Sequence, residues 1–286
     1  MSQTCLPLGI GSWTFAWAVG APQGPRPPHP LGPLDLLEKA RDLGADLVQF
    51  ADNLPLHERP EKELRKIREA ARKAGLAIEV GTRGTDPDRL LRHLEIAALL
   101  DSRLVRTLLT EPDGSPGNLA SAADSLRRVL PRFADAGVCL AIENYEGHRV
   151  RDLANLVREI GAPHLGICLD TVNSLGALET PEQVVEALAP FVLNLHIKDF
   201  DIVRVPQRTG FSIVGRPAGS GRLDVPGLLQ RLAGAGRRPS VVLELWVPFT
   251  ETLERTMELE QQWAESSLRY LRTLPGLNRR REPTSA

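Results

Sequence analysis

The sequence predicts an α/β protein built as a single (β/α)8 TIM barrel, and three observations carry that reading. Short apolar runs alternate strictly with longer amphipathic segments from one end to the other, eight of each. The length of 286 residues is close to the roughly 250 typical of such a barrel. A doubly wound open sheet, the runner-up, lacks support because no G-x-G-x-x-G follows the first strand.

The strand-like runs are Leu8–Trp13, Leu47–Ala51, Leu76–Gly81, Leu104–Leu109, Val138–Asn144, Leu165–Asp170, Val192–Lys198 and Val241–Trp246. The helix-like segments are Leu34–Leu43, Glu61–Lys73, Asp88–Leu100, Leu119–Asp135, Val150–Ile160, Pro181–Leu188, Val225–Gly234 and Leu253–Leu274. A parallel pair needs a dozen or more residues to return, so this alternation implies parallel strands with helical crossovers. No shift in composition marks a domain boundary. Residues 1–277 are therefore expected to form one barrel, and residues 278–286 (NRRREPTSA) a short polar tail. The Pro-rich stretch Gly20–Pro33 is expected to cover one end of the barrel.

Composition narrows the partners. Hydrophobic residues make up 42% of the chain, enough for one sizeable core. The 35 basic residues nearly cancel the 36 acidic ones, which argues against nucleic acid or an anionic membrane and leaves small molecules or proteins. Cys139 and Cys168 fall inside apolar runs and no CxxC pair exists, so buried, reduced thiols are expected. The first residues (MSQTCLPLGI) show no basic or long apolar region of a signal peptide. No apolar stretch approaches the roughly 20 residues needed to cross a bilayer. The expectation is a soluble cytoplasmic protein, with a homo-oligomer compatible and the last helix a candidate contact.

Chemistry concentrates at the ends of strands five to eight. These strands read VCLAIEN, LGICLDT, VLNLHIKD and VVLELW, and deliver Glu143, Asp170, His196 and Glu244. Taken singly, each has an ordinary explanation: a strand-end carboxylate is more often a cap or an ion-pair partner, and a strand histidine a hydrogen-bonded core residue. But an ionisable group in an apolar strand is costly unless paired or metal-bound, and here it recurs in four consecutive strands at one height. In a barrel those ends meet at one mouth, where active sites of this fold lie. Three carboxylates and one imidazole suit Mn²⁺ or Mg²⁺, with Co²⁺ as an alternative.

The motifs I-E-N, C-L-D-T-x-N, H-I-K-D and L-E-L-W resemble those of the xylose isomerase-like superfamily, which contains sugar isomerases, ketose 3-epimerases, inosose dehydratases and endonuclease IV. The likeness runs in strand order over nearly the whole chain. It implies that Glu143, Asp170, His196 and Glu244 are metal ligands, and that Glu143 and Glu244 exchange protons with substrate. Many members carry His three residues after the strand-six Asp, where this chain has Asn173. Asn can hydrogen-bond a substrate hydroxyl but is no base at neutral pH. A trinuclear nuclease centre needs extra His and Glu ligands, which a chain with six histidines, few at strand ends, does not offer.

A second polar set follows the earlier strands: Gln49, Asp52, Asn53 and His57 after strand two, Glu79, Arg83 and Gly84 after strand three, and Arg106 within strand four. Lys198 lies two residues beyond His196 and so points the same way. After strand seven a long loop carries Arg204, Arg208, Arg216 and Arg222, with Gly215, Gly219 and Gly221 free to turn over a ligand and Asp224 as helix N-cap before Pro226. Arg208 and Arg222 read as solvated loop residues, whereas Asn53, His57, Arg83, Arg106, Asn173 and Arg204 are the candidates for substrate binding. Cations beside a metal suggest an anionic, sugar-derived substrate. Trp13, Trp17 and Trp246 read equally as pocket walls or as core.

A metal between two carboxylate bases stabilises an enediolate. That intermediate serves epimerisation, aldose–ketose isomerisation, dehydration or loss of CO₂ from a 3-oxo acid. The segments DNLPLH, EVGTRG and GFSIVGRPAGSGRLD also resemble a branch that includes 3-oxo-isoapionate decarboxylases. The expected function is metal-dependent decarboxylation of a 3-oxo sugar acid, with Glu143, Glu244 and Lys198 as catalytic groups and Lys198 or Arg106 gripping the carboxylate or supplying a proton. The alternatives are a sugar or sugar-phosphate isomerase or 3-epimerase, and a non-catalytic sugar-acid-binding subunit that needs no metal.

Overall fold

The computed structural model of the chain describes residues 5–22 and 24–277; the expected polar tail lies outside them. In chain order the elements are β1 (Leu8–Gly11), α1 (Ala16–Val19), α2 (Pro33–Asp42), β2 (Leu47–Phe50), α3 (Glu61–Ala74), β3 (Ala77–Gly81), α4 (Pro87–Leu99), β4 (Leu104–Leu108), α5 (Leu119–Asp135), β5 (Cys139–Glu143) and α6 (Val150–Ile160). There follow β6 (Leu165–Asp170), α7 (Pro181–Leu188), β7 (Val192–Ile197), β8 (Asp199–Arg204), β9 (Phe211–Arg216), α8 (Val225–Gly234), β10 (Ser240–Leu243) and α9 (Leu253–Leu271). Eight parallel strands close in the order β1-β10-β7-β6-β5-β4-β3-β2, which is the (β/α)8 barrel the alternation predicts.

Local chemistry sets the helix ends. Pro33, Pro87 and Pro181 open α2, α4 and α7, where a missing N–H costs nothing. Asp86, Asn118, Thr180, Asp224 and Thr252 cap N-termini through their side chains, as expected for Asp224. Outward-facing strand residues such as Val48, Val80, Ile142, Leu169, Leu195 and Val241 pack beneath Leu36, Leu90, Leu126, Leu153 and Leu268 of the helices to form the main core. Strand alternation turns the residues between them into the barrel, and this interior is polar along much of its wall: Gln49, Glu79, Arg106, Asn194 and His196 are all buried there.

The structure corrects several readings. β1 stops at Gly11, because Gly11 N donates to Thr14 Oγ1 (2.9 Å) and the chain turns into a 3-10 helix, Ser12–Phe15. Cys168 is buried but Cys139, at the strand start, is only half-buried. The largest difference is the segment after β7, expected as a loop, which is an antiparallel hairpin of β8 and β9 with Ile202 opposite Ile213 and Arg204 opposite Phe211. It pairs with no barrel strand. Close packing requires two glycines of this segment. A Cβ on Gly215 would meet Trp246 at 2.2 Å, and one on Gly221 would meet Asp199 Oδ1 at 2.2 Å. That Asp199 carboxylate is buried and accepts from four backbone amides. Oδ1 takes Phe200 N (2.8 Å) and Leu223 N (3.0 Å), while Oδ2 takes Gly219 N and Gly221 N (both 2.9 Å). No helix among the described residues is long and apolar enough to cross a membrane.

Candidate metal centre and substrate pocket

The ends of β5, β6, β7 and β10 bring Glu143, Asp170, His196 and Glu244 into one buried cluster. His196 Nδ1 lies 3.4 Å from Glu244 Oε1, 3.7 Å from Glu143 Oε2 and 3.9 Å from Asp170 Oδ2. One donor atom each from Asp170, His196 and Glu244 falls within 4.8 Å of the others, and the same holds for Glu143, Cys168 and His196. Glu143 Oε2, Asp170 Oδ2, His196 Nδ1 and both Glu244 oxygens are buried without an aligned hydrogen bond. Ligand atoms of this kind, mostly oxygen, gathered around one imidazole nitrogen and met otherwise by the Arg106 and Lys198 ion pairs, fit a hard divalent cation.

Each side chain is held from behind. Asp170 Oδ1 accepts from Val172 N and Asn173 N (both 2.8 Å), which turns Oδ2 inward. Asn173 Nδ2 donates to Glu143 Oε1 at 2.9 Å. Lys198 Nζ stands 2.8 Å from Glu244 Oε2, 2.9 Å from Asp170 Oδ2 and 3.3 Å from Asn173 Oδ1. Arg106, only 2% exposed, pairs with Glu143 through Nε and with Asp52 through Nη1 (3.0 Å), and donates to Thr82 O (3.1 Å). Its approach to the site is thus as the partner of two carboxylates.

Burial and neighbouring charges compete within the cluster. Burial alone would raise the pKa of Glu143, but the Arg106 guanidinium, with His196 and Lys198, outweighs it and holds the carboxyl well below its usual range. At Asp170 burial is the largest influence. With the repulsion of Glu143 and Glu244 it overcomes the pull of Lys198 and raises the pKa. Burial disfavours charge on His196 and Lys198, yet Glu244 and Glu143 raise the former, and Asp170 and Glu244 raise the latter. The carboxylates thus draw positive charge toward the place a dication would occupy.

Beneath them runs a column absent from the expectations. His196 Nε2–H donates to Gln49 Oε1 (2.8 Å); Gln49 Nε2 donates to Glu79 Oε2 (3.0 Å) and Asn194 Oδ1 (3.1 Å). Gln49 and Glu79, read as substrate-side residues, therefore lie inside the barrel. Burial raises the pKa of Glu79 despite bonds from Ser240 and Gln49, and raises that of the Cys168 thiol further, leaving it a donor to Asn194 Oδ1 (3.0 Å). The signal was present, because Gln49, Asn194 and Cys168 share the inward face of their strands.

Asn53, His57 and Arg83 line a second space, a cleft of about 310 Å³ shared with Trp13, Asp52 and Thr82. Arg83 Nε is 3.2 Å from Asp52 Oδ2, so Asp52 joins this cleft to Arg106 and Glu143. His93, from α4, forms its wall beside His57 (centroids 5.2 Å apart) and is kept neutral by burial, its pKa lowered to about 4. A helical residue of this sort carries no strand-end signal. Arg204 is not brought to the site. It ends β8 on the exposed hairpin, its guanidinium over Phe211 (4.5 Å) and bonded to Arg208 O (3.2 Å). Trp13 walls the cleft, whereas Trp17 Nε1 binds Val247 O and Trp246 Nε1 binds Asp199 O.

Fold and cluster together define a class: a barrel with a carboxylate-rich, metal-type centre at its strand ends. Within that class the chain belongs to the xylose isomerase-like TIM barrel family, whose profile matches residues 37–274. It is 37% identical over 266 residues to a 3-oxo-isoapionate decarboxylase of Pectobacterium atrosepticum, covering 93% of this chain and 95% of that one. Among solved structures it resembles D-psicose 3-epimerase from Clostridium cellulolyticum with D-tagatose (TM-score 0.72, 15% identity, 94% and 99% coverage). It also resembles a xylose isomerase-like barrel protein from Mycobacterium smegmatis in complex with magnesium (TM-score 0.68, 15% identity, 92% and 97% coverage). At these identities the solved structures bear on the fold. The Pectobacterium relative is, by its name, an enzyme, a decarboxylase.

Proposed function

We propose that the protein is a divalent-metal-dependent carboxy-lyase that decarboxylates a 3-oxo sugar acid of the 3-oxo-isoapionate type. The observation that carries this reading is the 37% identity to a 3-oxo-isoapionate decarboxylase over nearly the full length of both chains. In such a reaction the C–C bond electrons move toward the neighbouring carbonyl, CO₂ leaves, and a proton is taken up at the carbon left behind. Bound by Glu143, Asp170, His196 and Glu244, a Mn²⁺ or Mg²⁺ ion (or Co²⁺) would set positive charge against the charge developing on the substrate oxygens.

The chain's own residues divide the remaining work. Lys198, 15% exposed among Asp170, Glu244 and Asn173, offers a firmly protonated ammonium to the substrate's anionic group. Glu143 and Glu244 stand where a proton is exchanged with the reacting carbon. Asn173, bonded to Glu143 and Lys198, orients both and can meet a substrate hydroxyl. Asn53, His57 and Arg83 receive the rest of the sugar acid in the cleft, and Arg106 acts through Glu143 and Asp52.

The second reading, a ketose 3-epimerase, is favoured by two glutamates facing one imidazole, which suits proton removal and return. Incubation of the Mn²⁺-loaded protein with 3-oxo sugar acids should release CO₂. Absence of CO₂, together with solvent deuterium entering a ketose, refutes the lyase and selects the epimerase.

A further inference from the structure

The geometry points to Glu79 as a remote positioning residue that, through Gln49, fixes which nitrogen of His196 faces the carboxylate cluster. The inference rests on His196 being a metal ligand. For Nδ1 to face the cluster with its lone pair free, the proton must sit on Nε2, and Nε2 must find an acceptor inside the barrel. Gln49 Oε1 is that acceptor at 2.8 Å.

An amide can present either end, so something must decide which way Gln49 points. Its Nε2 meets two acceptors, Glu79 Oε2 at 3.0 Å and Asn194 Oδ1 at 3.1 Å. Reversed, the Gln49 carbonyl would face both of those oxygens, and its NH₂ would face the His196 N–H. Asn194 could yield by turning over, but it is pinned as well. Its Nδ2 donates to the same Glu79 oxygen (3.1 Å) and to Ser240 Oγ (2.8 Å), and its Oδ1 accepts from the Cys168 thiol (3.0 Å). Glu79 is the member that accepts from both amides, so it sets the direction of the whole column. Gln49 and Glu79 are direct neighbours in the β2–β3 register, and Asn194 lies beside Ser240 in β7–β10, so the column spans the barrel from one side to the other.

Direction passed through a single intermediary predicts non-additivity. With Mn²⁺ uptake followed by the electron paramagnetic resonance of the free ion, Gln49→Met should weaken binding about 10–100-fold, the range for losing an outer-shell partner of a ligating histidine. Glu79→Met should weaken it about 10-fold although it touches no ligand. The double variant should bind no worse than Gln49→Met alone, and Glu79→Gln, which keeps an acceptor oxygen, should restore most of the affinity lost in Glu79→Met. Multiplying losses in the double variant, or no rescue by Glu79→Gln, overturns the inference while leaving the ligand reading intact. A native protein that takes up no Mn²⁺ overturns both. Should the methionine variants fail to fold, the native Mg²⁺-loaded protein still decides. Its ¹H–¹⁵N spectrum should show a solvent-protected His196 Nε2–H, and a bare Nε2 refutes the inference.

Discussion

Asp199→Asn isolates how one carboxylate organises the wall beside the site. Both oxygens are used, Oδ1 by Phe200 N and Leu223 N, Oδ2 by Gly219 N and Gly221 N, at 2.8–3.0 Å. Asparagine keeps the shape but turns one oxygen into an NH₂ that faces two N–H donors. Whichever way the amide sits, two charge-assisted bonds are lost. Hydrogen bonds to a charged group contribute about 1.5–3 kcal/mol each, a gross loss of roughly 3–6 kcal/mol. Part of that loss is recovered when the 217–223 segment swings its amides to water, so a net destabilisation of about 2–4 kcal/mol is expected. Urea unfolding at constant m reads the global effect. Hydrogen exchange at the Gly219 and Gly221 amides reads the local one, and protection there should collapse before the barrel unfolds. A shift below about 0.5 kcal/mol, the level of an ordinary surface substitution, with unchanged exchange at both glycines would refute the assignment of Asp199 as the anchor.

The other predictions are independent of it. Arg106→Met leaves Glu143 and Asp52 buried without their shared cation and should destabilise the metal-free protein by about 3–5 kcal/mol, read from the urea midpoint. Glu244→Gln and His196→Ala should each lose bound metal in elemental analysis of the purified protein; retention by both would remove them from the ligand set. Glu260 has its pKa raised to about 7 by burial, which outweighs the bonds it accepts from Trp17 N and Ala18 N. A raised carboxyl pKa means the folded state binds the extra proton, so stability falls as pH rises from about 4.5, the unfolded value, to about 7. Glu260→Gln should flatten the stability curve across that window, by at most about 3 kcal/mol between its ends. Glu143 acts with the opposite sign. Its depressed pKa adds stability above the unfolded carboxyl range that is lost as pH falls through and below it, and Glu143→Gln should weaken acid unfolding accordingly.

The barrel and the four-residue cluster were legible because both are written in periodicity. Alternating runs imply parallel strands, and a charged residue recurring near the end of four apolar strands has few cheap explanations. What a side chain faces across the barrel is not periodic. Arg106 was visible as an anomaly in β4, but its commitment to Glu143 and Asp52 follows from the register with neighbouring β5 and from where the chain runs after β2. Gln49 and Glu79 sat in view and were placed one layer too high, since strand ends and strand interiors read alike in a four- or five-residue run. The hairpin escaped because FSIVGR carries exposed Phe211 and Ile213, and the outer half of the arm, away from buried Phe200 and Gly215, lacks the apolar–polar contrast that marks a half-buried strand. His93 belongs to a helix whose buried side is otherwise apolar, so nothing in the sequence sets it apart from a core stripe.

That hairpin pairs only with itself, and this separates two kinds of change in the gene. Adding or deleting residues between Arg204 and Phe211 alters how far the arm extends without shifting the register of a single barrel strand. The same edit inside β7 or β10 would rotate His196 or Glu244 out of the cluster. Length variation is thereby channelled to one appendage beside the mouth, and a laboratory library that diversifies this turn can explore new outer walls while the reacting centre stays where the eight strands hold it.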